Sequence, residues 1–155
     1  MNKMEGIDEK KFIFGTIFMA GNKLQTLMDR DLYDQGITSK QWFLVCVIEY
    51  LCGKNPTLNE VAKAMNSSHQ NVKQVALKLQ KKGFLKMEKD KNDGRILRLE
   101  LTEKNFKFWN ERQKHAENFL EDCFKDFKKL ELIIFQEVLA KLMKNFEKME
   151  NKTEE

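Results

Sequence analysis

Proline occurs once in this chain and glycine only seven times in 155 residues. Proline breaks helices and glycine weakens them, so their scarcity argues for long uninterrupted helices and against a loop-rich or many-stranded fold. Cysteine is sparse as well. Cys46, Cys52 and Cys123 are odd in number and unpatterned, which does not make a disulfide framework. A reduced, cytoplasmic protein is the expectation. No apolar run is long enough to span a bilayer and none has signal-peptide form, so neither membrane insertion nor export is expected. The two histidines, His69 and His115, are too few and too separated for a zinc site. No glycine-rich phosphate loop, nucleophile elbow or acid pair in a recognisable context occurs. The chain is therefore expected to work without a metal or cofactor and not to be an enzyme.

What is present is charge and apolar bulk. Charged residues make up 34% and hydrophobic residues 41%, with twelve Phe and eight Met. That suffices for one core-forming domain, and methionine leaves such a core adaptable. The net charge is only +4, but it is unevenly placed. From Leu58 to Lys104 eleven Lys and Arg face six Asp and Glu, a net +5, while the remainder carries −1. The middle third holds the positive field.

In chain order, Asp8 to about Tyr33 has helical periodicity. Phe12-Ile13-Phe14 and Ile17-Phe18-Met19 are apolar almost all round, which implies burial on two sides. Thr38-Ser39-Lys40-Gln41 is a capping box opening an apolar helix, Trp42 to Leu51, expected at the centre of the core. Thr57 to Glu60 is a second capping box, opening a short helix to Met65. Asn66-Ser67-Ser68 is a turn; Asn tolerates positive φ, and Ser67 or Ser68 caps a helix from His69 to Lys82. That helix buries Val72, Val75, Ala76 and Leu79 and exposes His69, Gln70, Asn71, Lys73, Gln74, Lys78, Lys81 and Lys82, with no acidic residue. Gly83 ends it. Phe84 to Glu88 and Ile96 to Leu101 read as strands around the turn cluster Asp90-Lys91-Asn92-Asp93-Gly94, where Asp-Gly is a hairpin signal. Thr102 caps a long helix, Glu103 to about Lys129. A last helix runs from Leu130 to Met149, and the polar tail from Glu150 is expected to fray.

Short helix, tight turn and a second helix with a polar start make a helix-turn-helix, and the hairpin behind it makes the winged version. Amides at Gln70, Asn71 and Gln74 suit adenine edges, and the lysines further along suit phosphates. Cationic residues at a hairpin tip, Lys91 and Arg95 here, are placed where backbone and minor-groove contacts are made. The terminal helices carry more apolar surface than the middle can cover, which implies packing against a second copy.

From Leu58 to Asn105 the sequence resembles the multiple-antibiotic-resistance regulator (MarR) family. The resemblance rests on Val61-Ala62…Met65-Asn66-Ser67-Ser68, on Leu79-Gln80-Lys81-Lys82-Gly83-Phe84-Leu85, on Asp90…Asp93-Gly94-Arg95, and on Leu99-Glu100-Leu101-Thr102-Glu103-Lys104. It implies a mainly α fold with a small β-hairpin, a winged helix-turn-helix with long terminal dimerisation helices. A single domain would then comprise 38–102 as the DNA-binding part and 1–36 with 103–150 as the dimerisation helices. It implies a homodimer that regulates transcription, in most cases as a repressor, on a pseudo-palindromic operator in double-stranded DNA. Carried over, Arg95 is the wing arginine, Asp93 orients it, and Ser68 to Gln74 begins the recognition helix. The DNA-binding set is Ser67, Ser68, His69, Gln70, Asn71, Lys73, Gln74, Lys78, Lys91, Asp93 and Arg95. Here Gly94 stands where the family usually has a second arginine, and Asn66 and Asn105 replace frequent glycines.

The family often binds small aromatic or other hydrophobic effectors between its two parts, and Phe14, Phe18, Trp42, Phe43, Phe106 and Trp109 could line such a pocket; plain core packing is the alternative for each. Cys46 lies in the most apolar helix, where burial raises a thiol's pKa and lowers its reactivity, while Cys52 sits at a helix end. A winged-helix protein-interaction module, or a small-molecule sensor without specific DNA binding, is the competing reading of the whole.

Overall fold

The structure, a computed structural model, describes residues 8–153. It is mainly helical, with one two-stranded antiparallel hairpin among the described residues. The helices are α1 (Glu9–Asp31), α2 (Ser39–Cys46), α3 (Leu58–Ala64), α4 (His69–Lys81), α5 (Glu103–Glu111), α6 (Gln113–Phe124) and α7 (Lys129–Thr153). The strands are β1 (Leu85–Lys89) and β2 (Leu97–Leu101). The chain divides between Trp109 and Asn110 into two compact units. Of the terminal segment 1–36, residues 1–7 lie outside the described residues.

The first unit is organised by its caps. Thr38 and Gln41 close a capping box on α2, and Thr57 and Glu60 close one on α3. Ser68, not Ser67, caps α4, its hydroxyl accepting from the Asn71 amide at 3.2 Å. Asn66 takes a positive φ of 45° in the turn, and Ser67 N–H closes back on the Ala62 carbonyl. These local bonds satisfy the orphan amides of each helix start and fix where α3 and α4 begin. The core lies between α2, α3, α4 and the hairpin: Leu44, Val45, Val47 and Ile48; Leu58, Val61 and Ala62; Val72, Ala76 and Leu79; Phe84, Leu85 and Leu99, sealed by Leu32 and Ile37. Leu44, Val61, Ala76 and Leu99 lose all contact with solvent.

Gly83 has φ +77°, a left-handed value that ends α4 as the Gly83 and Phe84 amides close onto Gln80 and Leu79 carbonyls. β1 and β2 pair Leu85 with Leu101 and Met87 with Leu99 on the core side, and Lys86 with Glu100 and Glu88 with Arg98 outward. Thr102 extends the ladder, its amide donating to the Phe84 carbonyl and its hydroxyl to the Gly83 carbonyl at 2.7 Å, while its oxygen accepts from the Asn105 amide.

Three expectations need correction. Helix α2 does not run regularly to Leu51: Val47–Leu51 is a π-helical turn, with the Cys52 amide reaching the Val47 carbonyl. This wider turn swings Tyr50 and Leu51 outward, so Leu51 is exposed rather than core. The helix after Thr102 is not continuous to Lys129. It breaks at Arg112, where ψ is 0°, and ends at Phe124. The last helix continues through the expected frayed tail to Thr153. The turn cluster between the strands is present as expected. Residues 90–96 form the hairpin loop, and Gly94 does not use a left-handed φ.

Within the single chain no residue of α1 or α6 is buried, and Phe12, Phe14, Ile17 and Phe18 of α1 face solvent. In α7, Ile134, Phe135, Val138, Leu139, Phe146 and Met149 are exposed.

Candidate nucleic-acid interface

Helix α4 presents two opposed faces because its apolar residues recur with helical spacing. Val72, Ala76 and Leu79 are buried against α2 and α3, with Val75 half-buried. On the other side Ser68, His69, Gln70, Asn71, Gln74 and Lys78 are exposed, Ser67 and Lys73 partly so. The structure thus puts the expected polar residues at the start of α4 on one solvent-facing surface. Ser68 spends its hydroxyl lone pair on the cap and keeps its O–H for a further acceptor. Positive helix-dipole charge adds to the acid-free sequence here, so the α4 start favours an anion.

The three lysines that close α4 divide in their roles. Lys78 and Lys81 point to solvent. Lys82, expected in the exposed run, instead bridges inward: its ammonium donates to the Gly36 carbonyl and, at 3.3 Å, to Gln41 Oε1. It ties the end of α4 to the start of α2, through the same Gln41 that completes the capping box. Lys104 acts likewise, donating to the Lys82 carbonyl at 2.6 Å with its ammonium 5.1 Å from the Phe84 ring centre.

At the wing tip, Asp93 grips Arg95 with both carboxylate oxygens: Nε and Nη2 each donate at 3.0 Å, and the Arg95 amide donates to the same carboxylate. The Arg95 bonds hold the Asp93 carboxyl below its usual range, and the same carboxylate raises the Arg95 guanidinium. The Arg95 side chain remains 91% exposed. Lys91 is exposed on the same loop. A bidentate pair with an outward guanidinium is a preset cationic probe.

One interaction escaped the sequence reading. Asp90 accepts from the Asn92 and Asp93 amides at 2.8 and 3.1 Å and from Arg98 Nε, while Arg98 Nη1 donates to the Asn55 carbonyl at 3.0 Å. These bonds hold the Asp90 carboxyl down to about 2, with Arg98 the largest cause. The clue lay in the hairpin register: Arg98 faces Glu88, which places Asp90 diagonally two residues on.

The six aromatic residues suggested for an effector pocket fall into separate places. Trp42 and Phe43 line a shallow, open depression of about 200 Å³ with Gly21, Leu24, Met28 and Ser39. Phe14 and Phe18 stack edge to face on each other at 5.2 Å on the exposed side of α1. Phe106 is exposed, whereas Trp109 packs on the core and donates its indole N–H to Asn105 Oδ1 at 3.0 Å. Asn105, at the family's frequent glycine position, is fully buried and supplies that acceptor. Burial first, and then Glu49, pushes the Cys46 thiol up to about 11; burial and Glu60 raise Cys52. Among the described residues no cluster could hold a metal ion, and no helix is long and apolar enough to cross a membrane.

No family model matches the chain. In sequence it is 26% identical to the transcriptional repressor MprA of Escherichia coli K12 over 129 residues, 83% of this chain and 73% of that repressor. In structure it is similar to a MarR protein from Peptoclostridium difficile, with a TM-score of 0.79, 20% identity, and 94% and 93% of the two chains covered. It is also similar to Streptococcus pneumoniae FabT in complex with DNA, with a TM-score of 0.70, 17% identity, and 91% and 99% covered. These likenesses establish the fold. MprA is a transcriptional repressor, and FabT was solved bound to DNA.

Proposed function

We propose that this chain, a MarR-family protein by fold and by its sequence relative, is a dimeric, sequence-specific, DNA-binding transcription regulator that acts as a repressor. The observation that carries this reading is the surface made by two elements of one unit. The polar start of α4, which carries no acidic residue, and the exposed, Asp93-gripped Arg95 both face solvent. The α4 start enters the major groove, where Gln70, Asn71 and Gln74 read base edges, while Arg95 enters the flanking minor groove. Ser67, Ser68, His69, Lys73, Lys78 and Lys91 hold the sugar-phosphate backbone. FabT, whose fold this chain shares, was solved with DNA.

Two copies reading two half-sites account for the exposed apolar faces of α1, α6 and α7, and a two-fold pair requires a pseudo-palindromic operator. A small hydrophobic effector in the open depression beside Trp42 and Phe43 would shift the balance by favouring one spacing of the paired reading helices. The protein works in the cytoplasm, where its DNA is. The test is selection of bound sequences from a random DNA pool followed by mobility shift. Saturable, salt-sensitive binding to an inverted repeat is expected; a pool that yields no preferred sequence, with a protein partner recovered instead, overturns the reading in favour of a protein-interaction module.

A further inference from the structure

The wing loop, residues 90–96, is long for a hairpin and must still deliver Arg95 in one direction. Its base is closed by the Asp90 amide on the Ile96 carbonyl and the Ile96 amide on the Asp93 carbonyl, each at 2.9 Å. Asp90 Oδ1 then collects the Asn92 and Asp93 amides, which sets the path of the backbone just before Arg95. Asp90 Oδ2 is held by Arg98 of β2, whose other end reaches the Asn55 carbonyl.

Asn55 is itself fixed. It takes a left-handed φ of 54°, the next residue, Pro56, accepts from the Leu99 amide at 2.9 Å, and Thr57 pairs with Arg98. One guanidinium therefore joins the loop before α3, strand β2 and the wing tip. From the body of the unit the bonds run Asn55, Arg98, Asp90, Asp93, Arg95. Arg98 is unlike Arg95 in presentation. Its side chain is 44% exposed, and the cleft around it is lined by Glu88, Asp90 and Glu100 as well as Lys89 and Lys91. Its charge is answered within the protein.

We infer that Arg98 is a positioning residue for DNA recognition: by clipping Asp90 to the Asn55 carbonyl it aims Arg95, and it makes no DNA contact of its own. This rests on the DNA-binding reading. A residue that neutralises a phosphate contributes about one to the slope of log affinity against log salt, whereas a residue that only aims another does not. The experiment measures binding of the full chain to its selected DNA at several salt concentrations, for wild type, Arg95→Ala, Arg98→Ala, Arg98→Lys and Asp90→Asn. Arg95→Ala should flatten the slope by about one. Arg98→Ala should weaken binding about tenfold at each salt concentration with the slope unchanged, and Asp90→Asn should do the same from the other side of the clip while keeping every cation. Arg98→Lys, which cannot span two acceptors in a fixed fork, should not restore wild-type affinity. Wild-type affinity for both Arg98→Ala and Asp90→Asn overturns the inference, as does a slope that falls by one in Arg98→Ala. A wild-type chain that selects no DNA overturns the underlying reading first. If Arg98→Ala fails to fold, Asp90→Asn alone decides the matter.

Discussion

Arg95 and Gln74 are the side chains on which the DNA-binding reading is most directly checked. The Arg95 and Asp93 pair lies at the surface, where ion pairs add little to stability. Arg95→Ala should therefore weaken DNA binding by about 1–3 kcal/mol while the melting temperature and the oligomeric state stay near wild type. Equal affinity across salt concentrations would remove Arg95 from the interface. Gln74→Ala acts otherwise. It has no hydrogen-bond partner among the described residues, and its substitution should change which bases are preferred in a sequence selection more than it changes overall affinity. An unaltered motif would show that Gln74 reads no base. Single residues also show where sequence legibility ends. Lys78 and Lys82 look alike in a lysine run, yet Lys82 serves Gly36 and Gln41, which lie more than forty positions earlier in the chain. Nothing local distinguishes a lysine with such a partner from a solvated one.

At the scale of elements, the helix starts, encoded within three or four residues, were readable. The capping boxes at Thr38 and Thr57, the Ser68 cap and the Asn66 turn are local chemistry, and they place α2, α3 and α4 to within a residue or two. The break at Arg112 and the π-helical turn at Val47–Leu51 involve no proline or glycine, so no breaker announced them. The wing loop lies between these cases, since the Asp-Gly signal marked the hairpin but not its conformation. That loop has a testable response to acid. Asp90 is held at about 2, below its ordinary value near 4, so its bonds contribute stability above pH 4 and lose it as pH falls toward 2. Glu88 and Glu100, with Lys89 and Lys91, line the same cleft. Amide resonances of Asn92 and Asp93 should hold their native positions down to about pH 4 and shift between pH 4 and 2. The Asp90→Asn chain should lack that transition. Tip amides that do not move down to pH 2 would show that the loop is held without Asp90.

For the whole molecule the decisive fact is a surplus of apolar surface. The core of the first unit is complete, with Leu44, Leu58, Leu79 and Leu99 enclosed, yet no residue of α1 or α6 is buried and Phe135, Val138, Leu139 and Phe146 of α7 are exposed. Apolar surface of this extent on a chain with a finished core marks an interaction surface. A second copy is the occupant that also supplies what a paired operator requires, namely two α4 helices at fixed spacing. Along α7 the residues 135, 138, 139, 142 and 146 recur at helical spacing, so two charges placed there fall on the same stripe. Phe135→Glu with Leu139→Glu should convert a sedimenting dimer to a monomer. Because both positions face solvent within the single chain, the first unit's own core should survive, seen as retained near-ultraviolet signal from Trp42 and Trp109. In the wild type the melting temperature should rise with protein concentration, as mass action requires of a folded dimer in equilibrium with unfolded chains, and in the double variant it should not. DNA binding by the variant should fall toward the weak, non-specific level, since half-sites would be read one at a time. A wild-type chain that sediments as a monomer at micromolar concentration, and binds its operator no better than the variant does, would leave the apolar faces to some other partner and remove the paired-reader mechanism.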